Sequence, residues 1–321
     1  MDRGVVPPLV VVALGGNAIQ EPEGDDSVES DFERTSLTAA ALVRFALSGP
    51  FRLVVTHGNG PQVGNHLLRS ELGKEHGDLP LLPLEVCVAD TQGGMGYMIQ
   101  QSLANEFHAA GVPVVVVSVV SQVVVDRDDQ AFANPSKPVG EMIPPDRVAD
   151  SREHGWTLEE DTRRGGFRRV VASPDPIEIV EAAAIKALVE DGLVVVAAGG
   201  GGVPVVQTSD GSLQGCPAVV DKDLASALLA ADLQADAFVI LTDVPKVYSA
   251  YGTDSQKAID EMSVADVKRM LAAGEFPSGS MGPKVEAMRR FVSTSRRVGI
   301  IASIDEAEDA LDGHTGTRIV P

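Results

Sequence analysis

The sequence predicts an α/β protein: a three-layer αβα sandwich around a mainly parallel, doubly wound central sheet, with a small protruding subdomain. Three observations carry this reading. Near-continuous Val/Ile/Leu runs mark strands covered on both faces, as in parallel sheets. Helical patterns separate those runs, as βαβ crossovers require. Three glycine-rich turns stand directly behind runs of β-formers: Leu14-Gly15-Gly16-Asn17, His57-Gly58-Asn59-Gly60-Pro61 and Gly199-Gly200-Gly201-Gly202. Doubly wound sheets place their ligands at such strand ends.

Taken in order, the strands are Leu9–Ala13, Arg52–Thr56, Val114–Val120, Leu193–Ala198, Ala237–Thr242 and Val298–Ala302. The first follows a single Arg3 and runs into Gly-Gly-Asn without a small-residue cleavage site, so it reads as a strand and not a signal peptide. The longest apolar stretch, Val112–Val125, is interrupted by Pro113, Ser118, Ser121 and Gln122. It is shorter than the roughly 20 residues that cross a bilayer. A soluble, cytoplasmic protein without membrane partners is expected. The helices are Glu33–Ala46, Pro61–Leu72, Gly96–Ala110, Ile177–Glu190, Leu224–Leu233, Ser263–Ala272 and Pro283–Ser295. Asp126–Pro176 breaks the rhythm with six prolines and little periodicity, as a functional insertion does. Trp156, Phe132, Phe167 and Val170–Val171 supply it with material for a small core.

The formal net charge is −20, from 46 Asp+Glu against 26 Lys+Arg, of which only eight are lysine. Nothing offers the basic stripe that a nucleic-acid backbone needs, so that class of partner is not expected. An acidic surface repels anions at long range, so an anion site here must be positive locally. Cys87 and Cys216 are far apart and form no C-x-x-C pair, which excludes a disulfide framework or a zinc site and fits a reducing compartment. Neither has a basic neighbour in sequence, so neither reads as a nucleophile. No histidine spacing suits a metal.

The glycine turns bring backbone N–H groups close to a ligand, and helix starts behind them favour negative charge. Walker A and G-x-G-x-x-G patterns are both absent. The lysines of interest lie elsewhere. Lys222 sits in Asp-Lys-Asp at a helix start, where its ammonium and the helix dipole act together on phosphate oxygens; the alternative is an exposed charge. Asp221 reads equally as a helix cap. Lys284 follows Met281-Gly282-Pro283, with proline placed to open a helix. Lys137 lies between Ser136 and Pro138, where a rigid X-Pro turn presents a side chain on a fixed stem. For the asparagines and glycines the other reading is ordinary turn chemistry, and His57 stays open between phosphoryl contact and strand-end capping.

Seven blocks, in this order, resemble the carbamate kinases of the amino acid kinase superfamily. They are Ala13–Ala18, Thr56–Gly64, Asn134–Gly140, Gly199–Val205, Ala218–Ser226, Leu241–Val244 and Gly279–Val285, so the resemblance spans nearly the whole chain. It implies an amino acid kinase-like domain over 1–321, with an acceptor lobe (1–220), a protruding lid (126–176) and a nucleotide lobe (221–321). The implied reaction is reversible phosphoryl transfer between ATP and carbamate, giving ADP and carbamoyl phosphate. Mg²⁺ would arrive with the nucleotide, and the protein would be a homodimer running toward ATP in carbamoyl-phosphate catabolism.

On the same resemblance Lys137, Lys222, Lys284 and Asp223 are catalytic, Asp223 orienting the lysines. Lys137 would supply charge that relatives carry on the first strand, where this chain has Ala13. Gly15, Gly16, Asn17, Gly58, Asn59 and Gly60 would hold the acceptor. Gly200, Gly201, Asp221, Asp243, Val244, Tyr248, Met281 and Gly282 would hold the nucleotide, with Tyr251 a second stacking candidate. The chain departs from the family at Thr253, often lysine, and at Cys216-Pro217, more usually an acidic or aliphatic pair. Two other readings remain open here: another acyl-phosphate-forming amino acid kinase, and a non-catalytic nucleotide sensor. The acceptor turns lack the arginine that a larger dicarboxylic substrate recruits.

Overall fold

The computed structural model describes residues 6–15, 27–153, 155–161, 165–276 and 280–321; of Asp150 and Glu308 it describes only the backbone. The first half of the chain holds β1 (Leu9–Leu14), α1 (Val28–Leu47), β2 (Arg52–His57), α2 (Gly60–Gly77), α3 (Leu84–Ala109), β3 (Val116–Ser118) and β4 (Gln122–Val125). The insertion and its exit hold β5 (Lys137–Ile143), α4 (Val148–Glu153), β6 (Leu158–Asp161), β7 (Gly166–Val171) and β8 (Pro176–Ile179). Next come α5 (Ala182–Glu190), β9 (Val194–Val196), β10 (Val203–Gln207), β11 (Leu213–Gly215) and α6 (Lys222–Asp232). The last part comprises β12 (Ala237–Thr242), β13 (Val247–Ser249), β14 (Lys257–Ile259), β15 (Glu261–Ser263), α7 (Val264–Ala272), α8 (Met281–Ser295), β16 (Val298–Ser303), α9 (Ala307–Leu311) and β17 (Thr317–Val320).

The central sheet runs β15-β17-β16-β12-β1-β2-β9-β3. From β16 to β3 every pairing is parallel, while β17 runs antiparallel to β16. Alternation along each strand explains the unbroken apolar runs, because successive side chains point to opposite faces. Val11 and Ala13 pack with Phe238 and Ile240 against Leu229 of α6 and Phe291 of α8. Val10, Val12 and Leu14 face the other way, with Leu42 and Phe45 of α1 and Ile99 and Leu103 of α3. Both faces are dry, and each fully buried side chain of this size stabilises the fold by roughly 1.5–3 kcal/mol. Leu14 stands opposite both His57 and Leu241, so the loops after β1, β2 and β12 leave the sheet at one edge.

Three expected elements differ most. The expected Val114–Val120 strand is only Val116–Ser118, and the chain then passes to β4 in a second sheet, ordered β11-β10-β4-β8. Buried Ser121 makes that transfer: its N–H donates to Gln92 Oε1 (2.8 Å) and its carbonyl accepts from Gln92 Nε2 (3.0 Å). The expected Ile177–Glu190 helix begins only at Ala182, because Pro176–Ile179 pairs antiparallel with β4. Helix α3 begins at Leu84, twelve residues before the expected Gly96.

Part of the insertion forms its own antiparallel sheet, β5-β7-β6. Trp156 lies against the Arg169 guanidinium, 4.4 Å from the ring centroid, and donates to Glu71 Oε1 of α2 (3.1 Å). Phe132 packs instead on the main core. The arm rests on α2 where backbone meets backbone. Gly140, at φ +70° in a bulge between β5 and β7, lies so near Gly64 that a Cβ on Gly64 would fall 2.0 Å from the Gly140 Cα. Gly64→Ala is therefore expected to lower stability by about 1–3 kcal/mol, as overpacking does. Gly93→Ala, exposed in α3 with open space around it, is expected to add about 0.5–1 kcal/mol. Urea unfolding of the two variants beside the parent checks this; effects of the same sign would overturn the contact.

Candidate active site

Three helices begin at the carboxyl edge of the sheet and point their N-termini at one cavity of about 230 Å³. Its lining includes Gly58, Asn59, Gly60 and Pro61 from the start of α2, and Asp221, Lys222 and Asp223 from the start of α6. Pro283 and Lys284 come from the start of α8, and Lys137 from the arm. Helix N-termini carry positive partial charge, so all three add to the field of the lysines.

Asp221 is the N-cap of α6: its Oδ1 accepts from the N–H groups of Asp223 (2.9 Å) and Leu224 (3.3 Å). Its Oδ2 accepts from Lys137 Nζ at 2.5 Å. A cap residue thus also fastens the arm. Asp223 sits between two ammonium groups, with Oδ1 at 2.6 Å from Lys222 Nζ and Oδ2 at 3.1 Å from Lys284 Nζ. The base of this arrangement is tied down. The Ser226 hydroxyl donates to the Lys222 carbonyl (2.5 Å) and accepts from Thr56 Oγ1 at the end of β2 (2.6 Å).

Burial and pairing oppose each other at every charge. At Asp223 burial favours the neutral acid, but Lys222 and Lys284 together hold the carboxyl well below its usual range. At Asp221 burial and the repulsion of Asp223 act upward, but Lys137 and Lys222 together lower it. At Lys222 burial wins, aided by Lys284, and its pKa falls to about 8 despite Asp223. Lys284 goes the other way: burial acts downward, but Asp223, with Asp221 and a hydrogen bond to Lys222, raises it. Both carboxylates are committed to lysines, and among the described residues no group of three His, Cys, Asp or Glu could hold a metal ion.

A second cavity of about 130 Å³ adjoins the first, sharing Ser280 and Lys284. Asp243, Val244, Tyr248 and Met281 line it, with Thr242, Tyr251 and Phe276. Of the residues expected to bind nucleotide, Gly200 and Asp221 line the first cavity and not this one. Gly201 backs onto Val220, and Gly282 is buried in α8 without lining either.

The acceptor turns are corrected in one respect. The Gly15 N–H extends the β1–β12 ladder, donating to the Leu241 carbonyl at 2.9 Å, so it is not offered to a ligand. Gly58, Asn59 and Gly60 do line the cavity; Gly16 and Asn17 lie outside the described residues. His57 is buried and its pKa falls to about 4, from burial first, with Lys222 adding to it against the Gly58 carbonyl. Neutral, it donates from Nδ1 to that carbonyl (2.9 Å), which caps the strand end. Burial also raises both thiols, Cys216 to about 11, which disfavours nucleophilic roles. Thr91, Gln92 and Met95 of α3 escaped the sequence reading although Thr91 bonds Asn59 and Met95 lines the cavity. The signal was there: Leu84, Val88, Thr91, Met95 and Ile99 recur at helical spacing, interrupted by Gly93-Gly94.

The sequence profile of the amino acid kinase family matches residues 8–303. The carbamate kinase of Thermococcus kodakarensis is 46% identical over 312 residues, covering 97% of this chain and 98% of its own. The structure of the Giardia lamblia carbamate kinase bound to citric acid superposes with a TM-score of 0.92 at 38% identity, covering 98% of each chain. The same enzyme bound to AMP-PNP gives 0.88 at 38% identity, again over 98% of each. Sequence, fold and the paired lysines agree: the chain belongs to the amino acid kinase family, on its carbamate kinase branch.

Proposed function

We infer that this protein transfers a phosphoryl group reversibly between ATP and carbamate. The single observation that carries the reading is the convergence of Lys137, Lys222 and Lys284 on one cavity, in a chain 46% identical to a carbamate kinase. In this step a carbamate oxygen attacks the γ-phosphorus, the bond to the β-phosphate oxygen breaks, and ADP leaves; the reverse returns the phosphoryl to ADP. The moving group spreads charge over its equatorial oxygens, so catalysis is positioning plus neutralisation. Lys222 and Lys284 would face those oxygens, held apart and aimed by Asp223. Lys137 would close the site from the arm. The amides of the α2 start and Asn59 would hold the small acid.

The nucleotide would lie in the adjoining cavity with its base near Tyr248 and Val244 and its phosphates running past Lys284, the residue common to both cavities. That the Giardia lamblia carbamate kinase is found bound to AMP-PNP supports nucleotide binding by this chain. Both carboxylates of the first cavity, Asp221 and Asp223, are taken up by lysines, so Mg²⁺ would come with the nucleotide as part of the substrate, held by phosphate oxygens. The described residues lining the second cavity all come from 242–284, which supports a nucleotide lobe (221–321); beside it we propose an acceptor lobe (1–220) with a lid within it (126–176).

Carbamoyl phosphate is a high-energy acyl phosphate and carbamate is unstable, so we place the working direction toward ATP. No helix among the described residues is long and apolar enough to cross a membrane, and we assign a cytoplasmic location. We also propose a homodimer, since Leu37, Leu68, Leu72 and Tyr97 are exposed on α1, α2 and α3; light scattering at the monomer mass would refute it.

A coupled assay for ATP from ADP, Mg²⁺ and carbamoyl phosphate tests the activity; no ATP above the enzyme-free background would overturn it. Lys137→Ala, Lys222→Ala and Lys284→Ala are each expected to lower kcat by about 10²–10³-fold with circular dichroism unchanged. Near-parental turnover in any one removes that lysine from the mechanism. Lys222 is charged below about pH 8 and neutral above, so kcat/KM should fall as pH rises through that value. Lys222→Arg should lose that alkaline limb; a parental profile level well beyond pH 8 contradicts the assignment.

A further inference from the structure

Asn59 occupies the N-cap position of α2, yet its side chain makes no capping hydrogen bond. Asparagine in that position ordinarily turns its oxygen to the N–H groups of the first turn. Here the amide turns inward, and Nδ2 lies 2.8 Å from Thr91 Oγ1. Thr91 in turn donates to the Val88 carbonyl one turn earlier in α3, at 2.7 Å. A hydroxyl has one proton. With that proton committed to Val88, Thr91 offers Asn59 only lone pairs, so the group facing it must be the amide NH₂.

The oxygen is therefore the end of the amide turned away from Thr91. Gly200, at φ +64°, presses on the amide so closely that a Cβ there would fall 2.2 Å from Nδ2 and 2.7 Å from Oδ1. A half-turn of the amide would set NH₂ protons where the oxygen is and leave Thr91 facing a second acceptor. Asn59 lines the cavity with the three lysines, and among the described residues its Oδ1 has no hydrogen-bond partner and is not sealed from the cavity. The lysines and helix N-termini around it are donors for anionic oxygens. An acceptor set among them suits a substrate that also carries N–H.

We propose that Thr91 is a positioning residue that holds the Asn59 oxygen toward the cavity as an acceptor, and that this acceptor selects an amino-bearing acid over its methyl counterpart. The inference rests on the acceptor being carbamate, whose amino group is what distinguishes it from acetate. A methyl group in that place leaves the buried oxygen without a partner, the loss that makes hydrogen-bonding sites selective.

The test compares carbamoyl phosphate with acetyl phosphate as phosphoryl donors to ADP, read as the ratio of their kcat/KM values. Thr91→Val, which keeps the shape and removes the acceptor, is expected to lower that ratio by about tenfold or more, and Thr91→Ser to preserve it. An unchanged ratio in Thr91→Val, or an equal fall for both donors, overturns the proposal. A second measurement uses the parent protein alone. Carbamoylphosphonate should bind about tenfold or more tightly than acetylphosphonate by calorimetry, and equal affinities overturn the proposal. This measurement stands even if a variant fails to fold. If the parent makes no ATP from carbamoyl phosphate, the activity is refuted separately, while the phosphonate pair still decides whether the site prefers an amino group.

Discussion

The structure depends on one carboxylate. Asp223 lies between two ammonium groups, 2.6 Å from Lys222 and 3.1 Å from Lys284, in a pocket where none of the three is well solvated. Two buried like charges side by side are costly, and a shared counter-ion makes them tolerable only with near-ideal hydrogen bonds. The helix supplies that geometry. Consecutive residues of an α-helix point about 100° apart. Asp221, Lys222 and Asp223 thus serve three tasks in three successive positions: capping and holding the arm, presenting charge, and bridging to α8.

That bridge sets demands on the rest of the fold. The α6 and α8 starts must meet at one edge of the sheet, which the level register of β1, β2 and β12 provides. The Thr56–Ser226 bond ties the end of β2 to the Lys222 carbonyl, so strand and helix keep the site in step. The arm must reach the same site, and it rests on α2 where two glycines let backbone touch backbone. A chain carrying −20 overall thereby concentrates positive potential in a small volume, where an anionic substrate would otherwise be repelled.

The polar side chains around the substrate turns form a second layer. Gln92 holds Ser121 by two hydrogen bonds, and Ser121 Oγ accepts from the Ala198 N–H ahead of the glycine turn. Thr91, next to Gln92 on the same helix, holds Asn59. One stretch of α3 therefore orients two loops that are over a hundred residues apart. Family membership accounts for the seven motif blocks, but Thr91, Gln92 and Ser121 lie between them.

Much was legible in advance. Apolar runs with glycine behind them determine the strands and their carboxyl-edge turns, because a strand buried on both faces admits little else. The Asp-Lys-Asp step before an apolar run determines a helix start bearing charge, and Pro283 does the same for Lys284. What only the tertiary structure decided is which groups those charges meet. The Gly15 N–H is drawn into the ladder with Leu241, His57 turns to its neighbour's carbonyl, and the amide of Asn59 is oriented by a threonine thirty-two residues away. Periodicity reports how a segment faces the core, through local backbone geometry. Hydrogen-bond partners between distant segments follow from how the layers pack, and no local pattern encodes that.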